Sequence, residues 1–196
     1  MKFSPGTWLL LTGWPPNADP LGIEDFAFPL TIFGFADRDP EPFPMPTRIA
    51  PATSADLSLL LDLMRAMQDA DPWSELFHET TAHANLTELL DHPFYGLIYM
   101  AWDGGHPVAY LVICFDYSLE YRGKGAWIDE LFVRASHRGQ GIGSQLLDLA
   151  ERVSREHHAQ VLHLEVSHGN TAIELYRRRG FVDHERYLMT KRLDET

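Results

Sequence analysis

Apolar positions along the chain change period in a regular order. Leu57, Leu60, Leu61 and Met64 recur at helical spacing. Thr53 or Ser54 can cap that helix, with Asp56 in its first turn. The pattern predicts a second helix over Glu79 to Leu90, ending before Pro93. Three strand-like runs follow: Gly96 to Trp102, Val108 to Tyr117 and Ala126 to Val133. Asp103-Gly104-Gly105 reads as a hairpin turn between the first two. Ile142, Leu146, Leu149 and Val153 then mark a long helix running to about His157. Val161 to Val166 is the next strand. Asn170 to Arg179 is a helix with Gly180 as its C-terminal cap, and Arg186 to Leu193 a last strand. With a short strand at Arg48-Ile49-Ala50, the order is β-α-α-β-β-β-α-β-α-β, a mixed α/β domain. The strand–helix–strand passage from Ala126 to Val166 implies a right-handed crossover and a parallel pair.

The region before Thr47 reads differently. Ten of the thirteen prolines fall within the first 51 residues, so little regular structure is expected there. Trp8, Trp14, Phe26, Phe28, Phe33 and Phe35 make it too apolar for a solvated tail. Two readings stand. Residues 1–45 form an extension that wraps the domain or meets a partner, or translation begins at Met45. Either way the domain spans residues 46–196.

Composition narrows the function classes. A chain of 196 residues can bury a sizeable core. A formal net charge of −12 argues against a nucleic-acid backbone as partner and is compatible with cationic substrates, although acidity also serves solubility alone. The single cysteine, Cys114, cannot form an internal disulfide, which fits a reducing, cytoplasmic setting. Within its apolar run it reads as a core residue rather than a nucleophile. No run approaches the ~18 apolar residues of a membrane span. Trp8 to Leu11 is too short for a signal-peptide core. The ten histidines show no helical metal-ligand spacing with an acidic partner, so no metal is expected.

One stretch carries chemistry. Arg138-Gly139-Gln140-Gly141-Ile142-Gly143 lies between the apolar run ending at Val133 and the helix starting near Ile142. A strand, a glycine-rich turn and a helix in that order present backbone N–H groups at a helix N-terminus, a site suited to phosphate. The glycines are not spaced as Gly-x-Gly-x-x-Gly, and the turn comes late in the chain, which disfavours a dinucleotide fold. Arg138 can add a charge-assisted contact or remain a solvated arginine.

This stretch resembles the Arg/Gln-x-x-Gly-x-Gly/Ala signature of the GNAT N-acetyltransferase superfamily. Asp129-Glu130-Leu131-Phe132-Val133 resembles the family's central strand, and Asn170 to Phe181 its asparagine-to-tyrosine segment. The likeness covers roughly residues 47–193. It implies a mostly antiparallel mixed sheet, flanked by helices, with a parallel pair at an acetyl-CoA cleft.

The resemblance also assigns roles. Leu131, Phe132 and Val133 match the strand that pairs with the pantetheine arm. Arg138, Gly139, Gln140, Gly141, Ile142, Gly143 and Ser144 match the pyrophosphate loop. Asn170 matches a residue that bonds the cofactor arm, and it also suits a helix cap. Tyr176 matches the acid that protonates the leaving thiolate. Glu130 is the first choice of base. Asp129, which points to the opposite face of a regular strand, and Glu120 with Tyr121 in the preceding loop are further substrate-side candidates. The implied activity is acetyl transfer from acetyl-CoA to a small-molecule or peptide amine in a ternary complex. A homodimer is compatible with the resemblance. A non-catalytic acyl-CoA-binding module is the other reading, against which Tyr176 argues.

Overall fold

The computed structural model describes residues 48–70, 78–184, 186–191 and 193. The expectations for residues 1–45 and for a start at Met45 lie outside the described residues. A five-stranded sheet runs in the order β1-β2-β3-β4-β5. Its strands are β1 (Arg48–Pro51), β2 (Gly96–Asp103), β3 (His106–Ser118), β4 (Gly123–Val133) and β5 (Val161–Leu164). The first four are antiparallel, and β4 pairs with β5 in parallel, as the crossover requires. The fold is therefore the mixed, mostly antiparallel arrangement expected.

Helices cover both faces of the sheet. On one side lie α1 (Leu57–Ala70) and α2 (Glu79–Asp91). Leu60, Leu63 and Leu86 pack there against Met100, Tyr110, Val112 and Phe132. On the other lies α3 (Ile142–Glu156), whose Ile142, Leu146, Leu149, Ala150 and Val153 meet Leu111, Ile113, Ala126 and Ile128. Alternation along β3 divides its residues between these two cores, which is why its sequence is almost continuously apolar. Each large aliphatic side chain buried in these cores contributes roughly 1.5–3 kcal/mol.

Local signals are realised at most ends. A 3-10 turn over Ser54–Asp56 leads into α1. The Thr53 hydroxyl and amide both donate to Asp56 Oδ2, at 2.8 and 2.9 Å. The hairpin forms at Gly104-Gly105. The fourth helix, α4, covers only Ile173–Arg178, shorter than expected. Asn170 is the reason: its Oδ1 accepts the Ala172 amide at 2.9 Å and its carbonyl accepts the Ile173 amide at 3.2 Å. The first residues are thus spent on a side-chain-closed turn. At the other end Gly180 adopts φ +85°, and the Phe181 amide returns to the Tyr176 carbonyl, as a C-terminal glycine cap requires.

The last strand expected, Arg186 to Leu193, is not formed: residues 186–191 and 193 lie outside any regular element. Arg186 is drawn to Glu120 at the β3–β4 turn, and Tyr187 and Met189 stay almost fully exposed. A contiguous Tyr187-Leu188-Met189 run has no two-residue alternation to assign one face to a core, so pattern alone overstated it.

Candidate active site

Two irregularities in β4 create the site. The parallel ladder with β5 ends at Ile128↔Leu164, while β4 continues to Val133. Among the described residues, no strand pairs with the β5-facing edge of residues 129–133, where only the Val133 carbonyl is engaged, by the Arg138 side chain. The second irregularity is a bulge. Val112 on β3 opposes Glu130, but Ile113 opposes Ile128, so Asp129 is an extra residue in the strand.

The bulge corrects the expectation that Asp129 faces away from Glu130. A regular strand would separate them; one inserted residue shifts the alternation. Glu130 accepts a 2.8 Å hydrogen bond from the buried Tyr110 hydroxyl on the α1–α2 face. Burial first, and then the charges of both Glu130 and Asp129, raise the Tyr110 phenol and the Cys114 thiol, so Asp129 acts on that face too. Burial raises the Glu130 carboxyl above its ordinary value, the Tyr110 bond lowers it, and Asp129 raises it again. Desolvation also raises Asp129. Two carboxylates, Glu130 half-buried and Asp129 more exposed, thus share one end of the strand.

Tyr110 had no assigned role in the sequence. The available signal was a phenol inside an apolar run, since a buried tyrosine hydroxyl needs a partner. Its hydroxyl also approaches Met67 Sδ at 3.3 Å, which places the C-terminal half of α1 over the carboxylates. Cys114 lies on the same face, and burial with the two carboxylates pushes its thiol up to about 11. At neutral pH it is a thiol, a poor nucleophile.

The glycine turn sits where β4 leads into α3. A short 3-10 turn over Ala135–His137 comes first. Gly139 and Gly141 then adopt φ of +75° and +84°, conformations that glycine reaches without strain. A Cβ built on either meets no atom within 4 Å, so the space above both is open. Gly141 is the N-cap of α3; no side chain caps the helix and no acid sits in its first turn. The amides of Ile142, Gly143 and Ser144 therefore present an uncompensated positive end. Ile142 is itself buried core, and a Cβ on Gly143 would meet Leu175 and Val133.

The remaining predicted residues are placed as follows. Arg138 turns back from the loop: its Nε donates to the Val133 carbonyl at 2.9 Å and its guanidinium lies 5.9 Å from the Phe132 ring. Phe132 is buried under α1, while Leu131 and Val133 pack on the α3 side. Gln140 donates to the Ser136 carbonyl at 3.1 Å. Asn170 closes its own turn, and the Ser144 carbonyl accepts a long 3.4 Å bond from Arg179. Tyr176 is half-buried on α4, edge-on to Phe181 at 5.9 Å, and burial raises its phenol. Among the described residues no hydrogen bond engages its hydroxyl.

Glu120 and Tyr121 are not brought to Glu130. They occupy the turn before Gly123, roughly 20 Å along β4 from Glu130 at about 3.3 Å per residue. Glu120 forms a two-pronged ion pair with Arg186, at 2.9 and 3.1 Å, that holds its carboxyl below the usual range. Tyr121 instead meets His163 edge-on at 5.0 Å, and Trp127 meets the same ring at 4.7 Å.

A sequence model described as the acetyltransferase (GNAT) family matches residues 60–181. Among solved structures, an integron cassette protein from the mobile metagenome of Cole Harbour Salt Marsh is similar at 25% identity and TM-score 0.67, covering 76% of this chain and 91% of that one. A predicted acetyltransferase with acetyl-CoA from Clostridium acetobutylicum aligns at 17% identity and TM-score 0.66, over 74% of this chain and 96% of that one. An aminoglycoside N-acetyltransferase in complex with CoA aligns at 17% and 0.64, over 75% and 95%. At 17% identity the likeness speaks to fold alone. Among the described residues no helix is long and apolar enough to cross a membrane.

Proposed function

Because the chain belongs to the GNAT acetyltransferase family, we propose that it transfers an acetyl group from acetyl-CoA to a primary amine, directly and within a ternary complex. Residues 46–196 are the catalytic domain. The observation that carries this reading is the juxtaposition at the end of β4: an unpaired strand edge, a carboxylate pair beside it and an uncapped helix N-terminus behind it.

The residues present fit the cofactor. The amides of Gly139 to Ser144 hold its pyrophosphate, and the open space over Gly139 and Gly141 allows close approach. The edge of Leu131, Phe132 and Val133 supplies main-chain partners for the pantetheine arm, as an added strand would use them. Asn170 keeps its side-chain NH2 for that arm after its Oδ1 is committed to Ala172. Arg138 already holds the Val133 carbonyl on this edge, so that group is not one of the free partners. Bound acetyl-CoA supplies the activated thioester.

The chain's own groups move the protons. Only a neutral amine is nucleophilic, so the incoming ammonium gives a proton to Glu130, directly or through water, with Asp129 beside it on the acceptor side. Burial raises both carboxyls from their ordinary values, the direction that makes a carboxylate a stronger base. Tyr176 keeps its proton near neutral pH and delivers it to the departing sulfur. The unionised Cys114 thiol disfavours an acyl-enzyme route. Glu120, ion-paired with Arg186 at the far end of β4, is not the base.

The test is a panel of primary amines incubated with acetyl-CoA, with release of coenzyme A read by thiol detection. Release that depends on the amine supports the reading, and absence of both cofactor binding and release overturns it. Tyr176→Phe is expected to lower kcat by about 10²-fold, within the range of general acid catalysis, while coenzyme A affinity persists. If coenzyme A binds but no amine promotes release, the chain is a binding module instead.

A further inference from the structure

We propose that His137 is a positioning residue for the glycine turn, holding it through Asp103 on the β2–β3 hairpin. This inference rests on the acetyl-CoA reading above. Glycines at Gly139 and Gly141 leave the turn with more backbone freedom than any other residue would, and ordering it on a ligand carries an entropic cost. A turn that binds well therefore needs support from outside itself.

The structure supplies that support from one place. The Arg134 amide donates to the Val108 carbonyl at 2.9 Å and its Nε to the Pro107 carbonyl at 3.1 Å, docking the end of β4 onto the start of β3. His137 Nε2 lies 3.2 Å from Asp103 Oδ2, at the last residue of β2. His137 Nδ1 lies 2.8 Å from Ser136 Oγ, and Gln140 Nε2 bonds the Ser136 carbonyl. The chemistry orders this chain. An ionised carboxylate only accepts, so Nε2 carries the hydrogen toward Asp103, and in the neutral ring Nδ1 accepts from the Ser136 hydroxyl. His137 is the more enclosed partner, 24% exposed against 43% for Asp103. Asp103 and Gln140 are thus joined by three consecutive links that run through the residue pair just upstream of the glycines. None of Asp103, Ser136 and His137 belongs to the glycine signature, and none is placed against the reacting atoms.

The experiment compares two acetyl donors, acetyl-CoA and acetyl-pantetheine, which lacks the pyrophosphate. His137→Ala and Asp103→Ala are expected to raise KM for acetyl-CoA and Kd for coenzyme A about fivefold to tenfold, the scale of one charge-assisted hydrogen bond. The acceptor KM, and kcat at saturating donor, stay within about twofold, as expected where only cofactor binding is weakened. The double variant matches either single variant, because both break one link. His137→Gln, which keeps an N–H near the Nε2 position, restores most of the affinity; His137→Asn, whose amide is too short to reach Asp103, does not. With acetyl-pantetheine all variants match the unsubstituted chain. An unchanged KM for acetyl-CoA in both alanine variants overturns the proposal. So does an equal loss with acetyl-pantetheine, which would mark a general structural role. If the unsubstituted chain neither binds coenzyme A nor releases it, the acetyl-CoA reading itself fails.

Discussion

The two halves of the proposed site are built in different ways. The pyrophosphate end of the cofactor half is one continuous stretch, Gly139 to Ser144, whose geometry follows from positive-φ glycines and a helix start within a few residues. The acceptor half is assembled from distant elements: Tyr110 on β3, Asp129 and Glu130 on β4, Met67 on α1. The first half binds with backbone, which every chain possesses, and needs only the right turn. The second works with side chains whose protonation is set by burial and by neighbours far away in sequence. Substitutions in the two halves should therefore fail differently, one in affinity and the other in rate and pH dependence.

The sharpest break is Glu130→Gln. It keeps size and removes the proposed base, so kcat should fall by about 10²–10⁴-fold with coenzyme A affinity unchanged, measured by steady-state kinetics and calorimetry. A parallel loss of coenzyme A binding would erase the distinction between the halves. Gly141→Ala tests the other side. A Cβ at φ +84° meets no atom but strains the backbone by roughly 1–2 kcal/mol and intrudes on the phosphate space. KM for acetyl-CoA should rise by about tenfold, while kcat at saturation changes little.

Tyr110→Phe addresses the long-range control of the acceptor half. The phenol's hydrogen bond lowers the Glu130 carboxyl against burial and Asp129, which raise it. Removing the bond moves that value further up. The base works as the carboxylate, so the acid limb of kcat/KM, already above the ordinary glutamate range, should shift to higher pH. Stability follows the same sign. A carboxyl that holds its proton more tightly in the folded chain contributes stability below its ordinary value, and this is lost as pH rises through the raised one. The variant should thus lose more stability between those limits than the unsubstituted chain, with about 1–2 kcal/mol also lost from the missing bond. Urea unfolding across pH reads both. Smallest of all is Cys114→Ala, expected to leave kcat intact because a thiol held up at about 11 is not ionised at neutral pH. Covalent acetylation of Cys114 during turnover would contradict this.

Much of the fold was legible because its signals are local. Helical spacing located α1, α2 and α3, Asp103-Gly104-Gly105 the hairpin, and Gly180 the end of α4. The expected strand at Arg186 failed where the signal was only an apolar run. Its fate depended on whether a partner edge and a buried face existed, and Glu120 held Arg186 elsewhere. Arg138 shows a subtler limit. Its place in the turn was evident, but the direction of its side chain was decided by the Val133 carbonyl and the Phe132 ring.

The sequence by itself determined the glycine turn and the helix behind it, because backbone sterics and the N-terminal amides of a helix act over a few neighbouring residues. Only the tertiary structure decided the acceptor half. The bulge at Asp129 exists in the pairing of β4 with β3, and the gap beyond Ile128 in the pairing of β4 with β5. Neither is a property of β4 alone. A strand carries alternation in its own residues, but register is an agreement between two strands, and one extra residue on one of them decides which side chains share a face.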